Sequence, residues 1–110
     1  MAAITIRNLT TYEEFKTVLE LERTVWGFSD PFDMVPPVVF TITVKRGAIL
    51  LGAFDEHDRM VGFCYSLVGM KGRQPLQWSH MTGVLPEHRG GLGVRLKMAQ
   101  RERASSSATT

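Results

Sequence analysis

Two periodicities divide the sequence. Ile4 and Ile6 alternate with Thr5 and Arg7, the period of two expected of a short strand over Ile4 to Leu9. Thr11-Tyr12-Glu13-Glu14 then carries a capping-box pattern, in which the threonine hydroxyl accepts from the Glu14 backbone and the Glu14 carboxylate reaches back. From there Phe15, Val18, Leu19, Glu22, Val25 and Trp26 keep a helical spacing, and Gly27 is a natural stop. Phe28 to Pro37 reads as a loop, with Phe28, Phe32 and Met34 expected to tuck it onto the core rather than line a pocket. Val38 to Val44 admits two readings. Phe40, Ile42 and Val44 alternate with threonines and favour a strand, whereas Pro36-Pro37 before them and Lys45-Arg46-Gly47 after them are helix end signals.

The second half of the chain returns to strands. Ala48 to Phe54 and Met60 to Val68 are apolar runs joined by the polar Asp55 to Arg59, a connection of hairpin length. Val61, Phe63, Tyr65 and Leu67 share one face and Met60, Cys64 and Val68 the other, so the sheet is expected to be covered on both sides. Gly69 to Pro75 reads as a turn and Leu76 to Leu85 as a third long strand. The whole predicts an α/β (α+β) domain, an antiparallel meander with flanking helices.

That third strand runs into Gly90, Gly91 and Gly93, just ahead of a helix patterned by Leu92, Leu96 and Ala99. A backbone turning sharply into a helix start presents unpaired N–H groups and the positive end of the helix dipole to one point, which suits a phosphate. The formal net charge is only +2, but Arg89, Arg95, Lys97, Arg101 and Arg103 crowd this stretch against Glu102 alone. A solvated helix face is the commoner meaning of such a run, and the glycine turn tips it toward an anionic ligand. Val94 and Met98 form a second apolar side on this helix, which calls for cover that the following Ser/Thr-rich residues do not promise.

Composition narrows the class. A 110-residue chain with a 44% hydrophobic fraction is one ordered domain or part of a larger one. No apolar run is long enough to span a membrane, and a single cysteine, Cys64, favours a reducing, cytoplasmic setting. His57, His80 and His88 lack ligand spacing, so no metal is expected. Trp78 is expected to pack rather than stack on bases, and neither a nucleic acid nor a membrane is expected as a partner.

The strand, V-L-P-E-H-R-G-G-L-G and the basic helix together resemble the acetyl-CoA-binding motif of the GNAT N-acetyltransferase superfamily. With W-G-F-S-D, L-G-A-F-D, V-G-F and L-K-M-A-Q-R-E the resemblance extends to a bacterial subgroup of predicted acetyltransferases and covers residues 4 to 104. It implies that acetyl-CoA is the co-substrate and a small-molecule or peptide amine the acceptor. By the same resemblance, backbone groups of Thr82 and Val84 would pair with the pantetheine arm. His88, Arg89, Gly90, Gly91, Leu92, Gly93 and Val94 would form the pyrophosphate turn. The family pattern places Arg or Gln three residues before a Gly-x-Gly. Here His88 fills that slot, or else Arg89-Gly90 does with the loop one residue short.

GNAT domains continue past this helix with further strands that splay to form the cofactor cleft and commonly carry the thiolate-protonating tyrosine. Residues 1–104 therefore read as the N-terminal part of such a domain and 105–110 as a disordered tail, as truncation or a frameshift would leave. No catalytic residue stands out: Ser79, His80 and Glu87 are the polar candidates, each more often structural, and the imidazole of His80 ranks first among them as a base. The alternative to an acetyltransferase is a non-catalytic half-domain that self-associates, as a homodimer, through its exposed strand edge.

Overall fold

A computed structural model describes residues 3–27 and 34–108. Strand β1 (Thr5–Asn8) leads into helix α1 (Tyr12–Trp26), whose start is the expected capping box: Thr11 Oγ1 accepts the Glu14 N–H at 3.2 Å, and Glu14 Oε1 accepts the Thr11 N–H at 3.1 Å. Burial pushes the Glu14 carboxyl up, but the N–H groups of Thr10 and Thr11 and the Arg7 guanidinium outweigh it and hold it at about 2. The helix ends where Gly27 takes a left-handed φ of 65°. Phe28 and Phe32 lie outside the described residues; Met34 is half-buried.

Val38 to Val44 resolves as helix α2 (Pro37–Lys45), so the end signals prevail over the β-branched composition. Tertiary packing decides it. Phe40 is fully buried, its ring 6.0 Å from Phe15 of α1 and 4.8 Å from Tyr65 of the sheet. The threonines that favour a strand bond back to helical carbonyls, Thr41 to Pro37 and Thr43 to Val39.

Strands β2 (Ile49–Phe54), β3 (Met60–Lys71) and β4 (Gln74–Val84) complete an antiparallel sheet in the order β1-β2-β3-β4. The β2–β3 connection closes on Asp55, whose Oδ1 accepts the N–H groups of His57 and Arg59. Between β3 and β4 the turn is shorter than Gly69 to Pro75. Gly69 pairs with Leu76 and Pro75 with Met70 inside the ladder, and only Gly72 and Arg73 connect the strands, with φ of 61° at Gly72. Proline is tolerated there because β4 is an edge strand.

Both faces of the sheet are covered as far as Ser66 of β3; beyond it Val68 and Met70 are 48% and 62% exposed, so the expected cover stops short of Val68. Phe63 and Tyr65 point at α1 and α2, with Trp26 edge-on to Phe63. Cys64 points the other way, its Sγ 3.5 Å from the Leu96 carbonyl of helix α3 (Leu92–Ala108), and burial pushes its thiol up to about 12. Met60 to Ser66 are all buried as a result. Leu92 and Leu96 seat α3 on the sheet, while Val94 and Met98 stay exposed. The helix runs through Ala108, since extending an established helix adds a hydrogen bond per residue without a new nucleus. Trp78 corrects another expectation, being 64% exposed on the edge strand.

Candidate functional site

The site is built where β4 turns into α3. Leu85 donates to the Val61 carbonyl at 2.9 Å, making the last ladder bond. Pro86 opens a single 3-10 turn through His88, closed by His88 N–H on the Leu85 carbonyl and Arg89 N–H on that of Pro86. Gly90 and Gly91 then take φ of 125° and 112°, a backbone path that L side chains rarely follow. The first bond of α3 runs from Arg95 N–H to the Gly91 carbonyl at 3.1 Å. The N–H groups of Leu92, Gly93 and Val94 thus have no partner within the helix.

Antiparallel geometry fixes which groups of β4 face outward. Hydrogen-bonded and open positions alternate, so the Leu85–Val61 bond makes Gly83 and Met81 face β3 while Thr82 and Val84 direct backbone groups to the free edge. The Val84 carbonyl is already used, because Arg89 donates to it from Nε at 3.3 Å. The Val84 N–H and both Thr82 groups remain.

These parts enclose a cleft of about 390 Å³ lined by Thr82, Val84, Arg89, Gly90, Gly91, Gly93 and Val94 among the residues singled out in the sequence. His88 and Leu92 are not on its wall: His88 spends its N–H on the turn, and the Leu92 side chain is buried in the core. Val25 and Trp26 complete the wall and were not anticipated. The available signal was their position beside the Gly27 stop, where an exposed aromatic at a helix end has to rest on something. That something is Gly83, where an added Cβ would lie 2.9 Å from Phe63 and 3.2 Å from Trp26.

A shallower apolar groove of about 530 Å³ continues along α3, lined by Thr82, Gly93, Val94, Lys97, Met98 and Arg101. The Thr82 hydroxyl oxygen, buried between cleft and groove, has no hydrogen-bond partner. Arg89 lines the cleft and Lys97 and Arg101 line the groove; Lys97 donates to Ser79 Oγ, and among the described residues none of the three meets a carboxylate, while Arg95 turns away to the Ile4 carbonyl. The surroundings favour an anion.

The three polar candidates for a base do not converge on the cleft. Ser79 accepts from Lys97, and Glu87 pairs with Arg59 at 3.3 Å. His80 is the extra residue of a β-bulge: Tyr65 pairs with Met81 and Ser66 with Ser79, so His80 has no partner, and its exposed ring meets Tyr65 edge-on. A different carboxyl is unusual. Glu22, on the apolar stripe of α1, is fully buried; Val35 N–H reaches its Oε1 at 2.8 Å, while Oε2 has no partner. Burial raises its pKa to about 7 despite that bond. Among the described residues no group of His, Cys, Asp and Glu could hold a metal ion, and no helix is long and apolar enough to cross a membrane.

No protein-family model and no curated protein matches the sequence. Solved structures do match its shape. An aminoglycoside acetyltransferase from an uncultured soil metagenomic sample superposes with a TM-score of 0.79 at 18% identity, over 96% of this chain and 72% of that one. Glucosamine-6-phosphate N-acetyltransferase from Arabidopsis thaliana gives 0.71 at 18%, over 96% and 77%. A GCN5-related glucosamine N-acetyltransferase region of a fungal multi-domain β-N-acetylglucosaminidase gives 0.74 at 17%, over 93% of this chain and 12% of that one. The chain is thus built on the α+β fold of the GCN5-related N-acetyltransferases, over the part of that fold its residues span.

Proposed function

We propose that the cleft binds acetyl-CoA and that the protein is of the N-acetyltransferase type, passing the acetyl group to an amine. The observation that carries this reading is a convergence: free N–H groups at the start of α3, the left-handed glycines before it and the open edge of β4 all face one cleft. The residues fit the ligand. Three helix N–H groups, the helix dipole and the unopposed cations suit a pyrophosphate. The Val84 N–H and the Thr82 backbone groups suit an extended arm carrying amides, which an edge strand takes as it would another strand.

Bound there, acetyl-CoA supplies an acetyl thioester open to direct attack by an amine. The chain's own part is to hold and orient. Arg89 fixes the turn to the strand end, and Trp26 closes the cleft on the α1 side. The attacking amine must lose a proton, and none of the cleft-lining side chains is a base at neutral pH. A reducing, cytoplasmic setting suits the single buried thiol.

Calorimetric titration with CoA tests the binding. A saturable 1:1 heat with a dissociation constant tighter than about 1 mM supports it, and no heat at higher CoA concentration overturns it. Acetyl transfer to sisomicin and glucosamine 6-phosphate then probes the amine, these being the chemistries named for the structural neighbours.

A further inference from the structure

We propose that the protein has a second ligand site, at the end of the sheet away from the CoA cleft, and that this site takes a small organic carboxylate. The site is independent of the CoA reading.

The place is a cavity of about 400 Å³ lined by the apolar Val44, Ile49 and Leu50 and the polar Asn8, Thr10 and Arg103. That volume falls within the range usual for small-molecule sites. Val84 of the CoA cleft pairs with Gly62, and Gly62 with Ala53 of β2. Ile49 lies four residues back along β2, about 13 Å away, and the two sites share no lining residue.

Arg103 sets the chemistry. Its Nε donates to Asn8 Oδ1 at 2.8 Å and its Nη1 to the Ala99 carbonyl at 3.3 Å. The two bonds fix the guanidinium and leave Nη2 unspent, and among the described residues Arg103 meets no carboxylate. Asn8 uses its oxygen on Arg103, so its Nδ2 is a further donor. Gln100, one turn back on α3, is only 6% exposed and its Nε2 has no partner, which marks this end of the helix as short of acceptors.

The negative groups nearby are already spent. Helix α2 ends at the cavity, but its Thr43 carbonyl accepts from Arg46 and Ala48 and its Val44 carbonyl from Gly47. Glu14 approaches through the Thr10 N–H and is paired with Arg7. Lys45 and Arg46, exposed beside Gly47 of the cavity lining, meet no carboxylate among the described residues. A fixed guanidinium in a positive surrounding selects an anion, and carboxylate geometry matches its donors. The apolar lining selects an acid with a hydrocarbon body over an inorganic anion.

Amide-resolved NMR titration of the full chain with benzoate tests the site. The expected result is saturable shifts at Asn8, Thr10 and Gly47 to Leu50, with a dissociation constant of about 5 mM or tighter. Benzamide, which has the same shape without the charge, is expected to bind at least tenfold more weakly, and inorganic phosphate to give no saturable shift there. Asn8→Asp keeps an acceptor for Arg103 Nε while adding a negative charge beside the site, so it should raise the benzoate dissociation constant at least tenfold with the fold intact by circular dichroism. Arg103→Gln should do the same, and if that variant fails to fold, Asn8→Asp still decides. No saturation by benzoate at these amides, benzamide or phosphate binding as tightly, or an unchanged benzoate affinity in folded Asn8→Asp overturns the proposal.

Discussion

Arg89 donates from Nε to the backbone carbonyl of Val84, so the residue that opens the glycine turn is tied to the strand that the turn leaves. The bond ties the turn back to the end of β4 and holds a guanidinium beside the cleft.

Replacing Arg89 with alanine is expected to weaken CoA binding with little effect on folding. The side chain is exposed, so the loss is of order 1 kcal/mol, about fivefold to tenfold in the dissociation constant. Calorimetry should show this with an unchanged melting temperature.

Gly91→Ala should act on both. Nothing lies within 4 Å of an added Cβ there, so the cost is backbone strain alone. At φ of 112° that strain is about 1–2 kcal/mol, or roughly 4–12 °C in melting temperature for a domain of this size. Relaxation of the strain would also turn the α3 N–H groups away from the cleft, so CoA affinity should fall more than for Arg89→Ala. A thermal melt and a titration on one sample check both effects.

Phe40→Ala is expected to be the most disruptive of these changes. The ring fills the space between Phe15 and Tyr65 and has no exposed surface, so its loss should cost about 3–5 kcal/mol. Urea unfolding should show most of the domain's stability gone.

This position also shows where sequence reasoning stops. The bounds of α1 are written locally in Thr11, Glu14 and Gly27, and they could be read directly. For α2 the local signals conflict, and the fold chooses through Phe40, whose partners are distant in sequence. The β3–β4 turn is overestimated because Gly69 and Pro75 look like loop residues, yet both sit in a ladder at an edge that tolerates them. At the site, the turn residues were legible because glycine and charge mark them. Trp26 was not, since only the packing of α1 onto Gly83 brings it to the cleft.

Glu22 gives the chain a pH dependence of definite sign. Burial raises its carboxyl from 4.5 to about 7, so the folded state binds the proton more tightly than the unfolded state does. That contribution is full below about pH 4.5 and is lost as pH rises through about 7, so stability should fall across this window by on the order of 1–3 kcal/mol. Glu22→Gln keeps an acceptor for the Val35 N–H and removes the ionisation. Melting curves from pH 5 to 8 should slope downward for the parent and flatten for the variant, which should be the more stable at pH 8.

The central claim is that the strand edge and the glycine turn together form a CoA site. An amide-resolved NMR titration with CoA tests it most directly. The account predicts that the largest shifts fall on Thr82, Val84 and Gly90 to Val94, with the indole N–H of Trp26 moving alongside them. Shifts confined to scattered arginines and lysines, with the glycine and β4 amides unmoved, would contradict it.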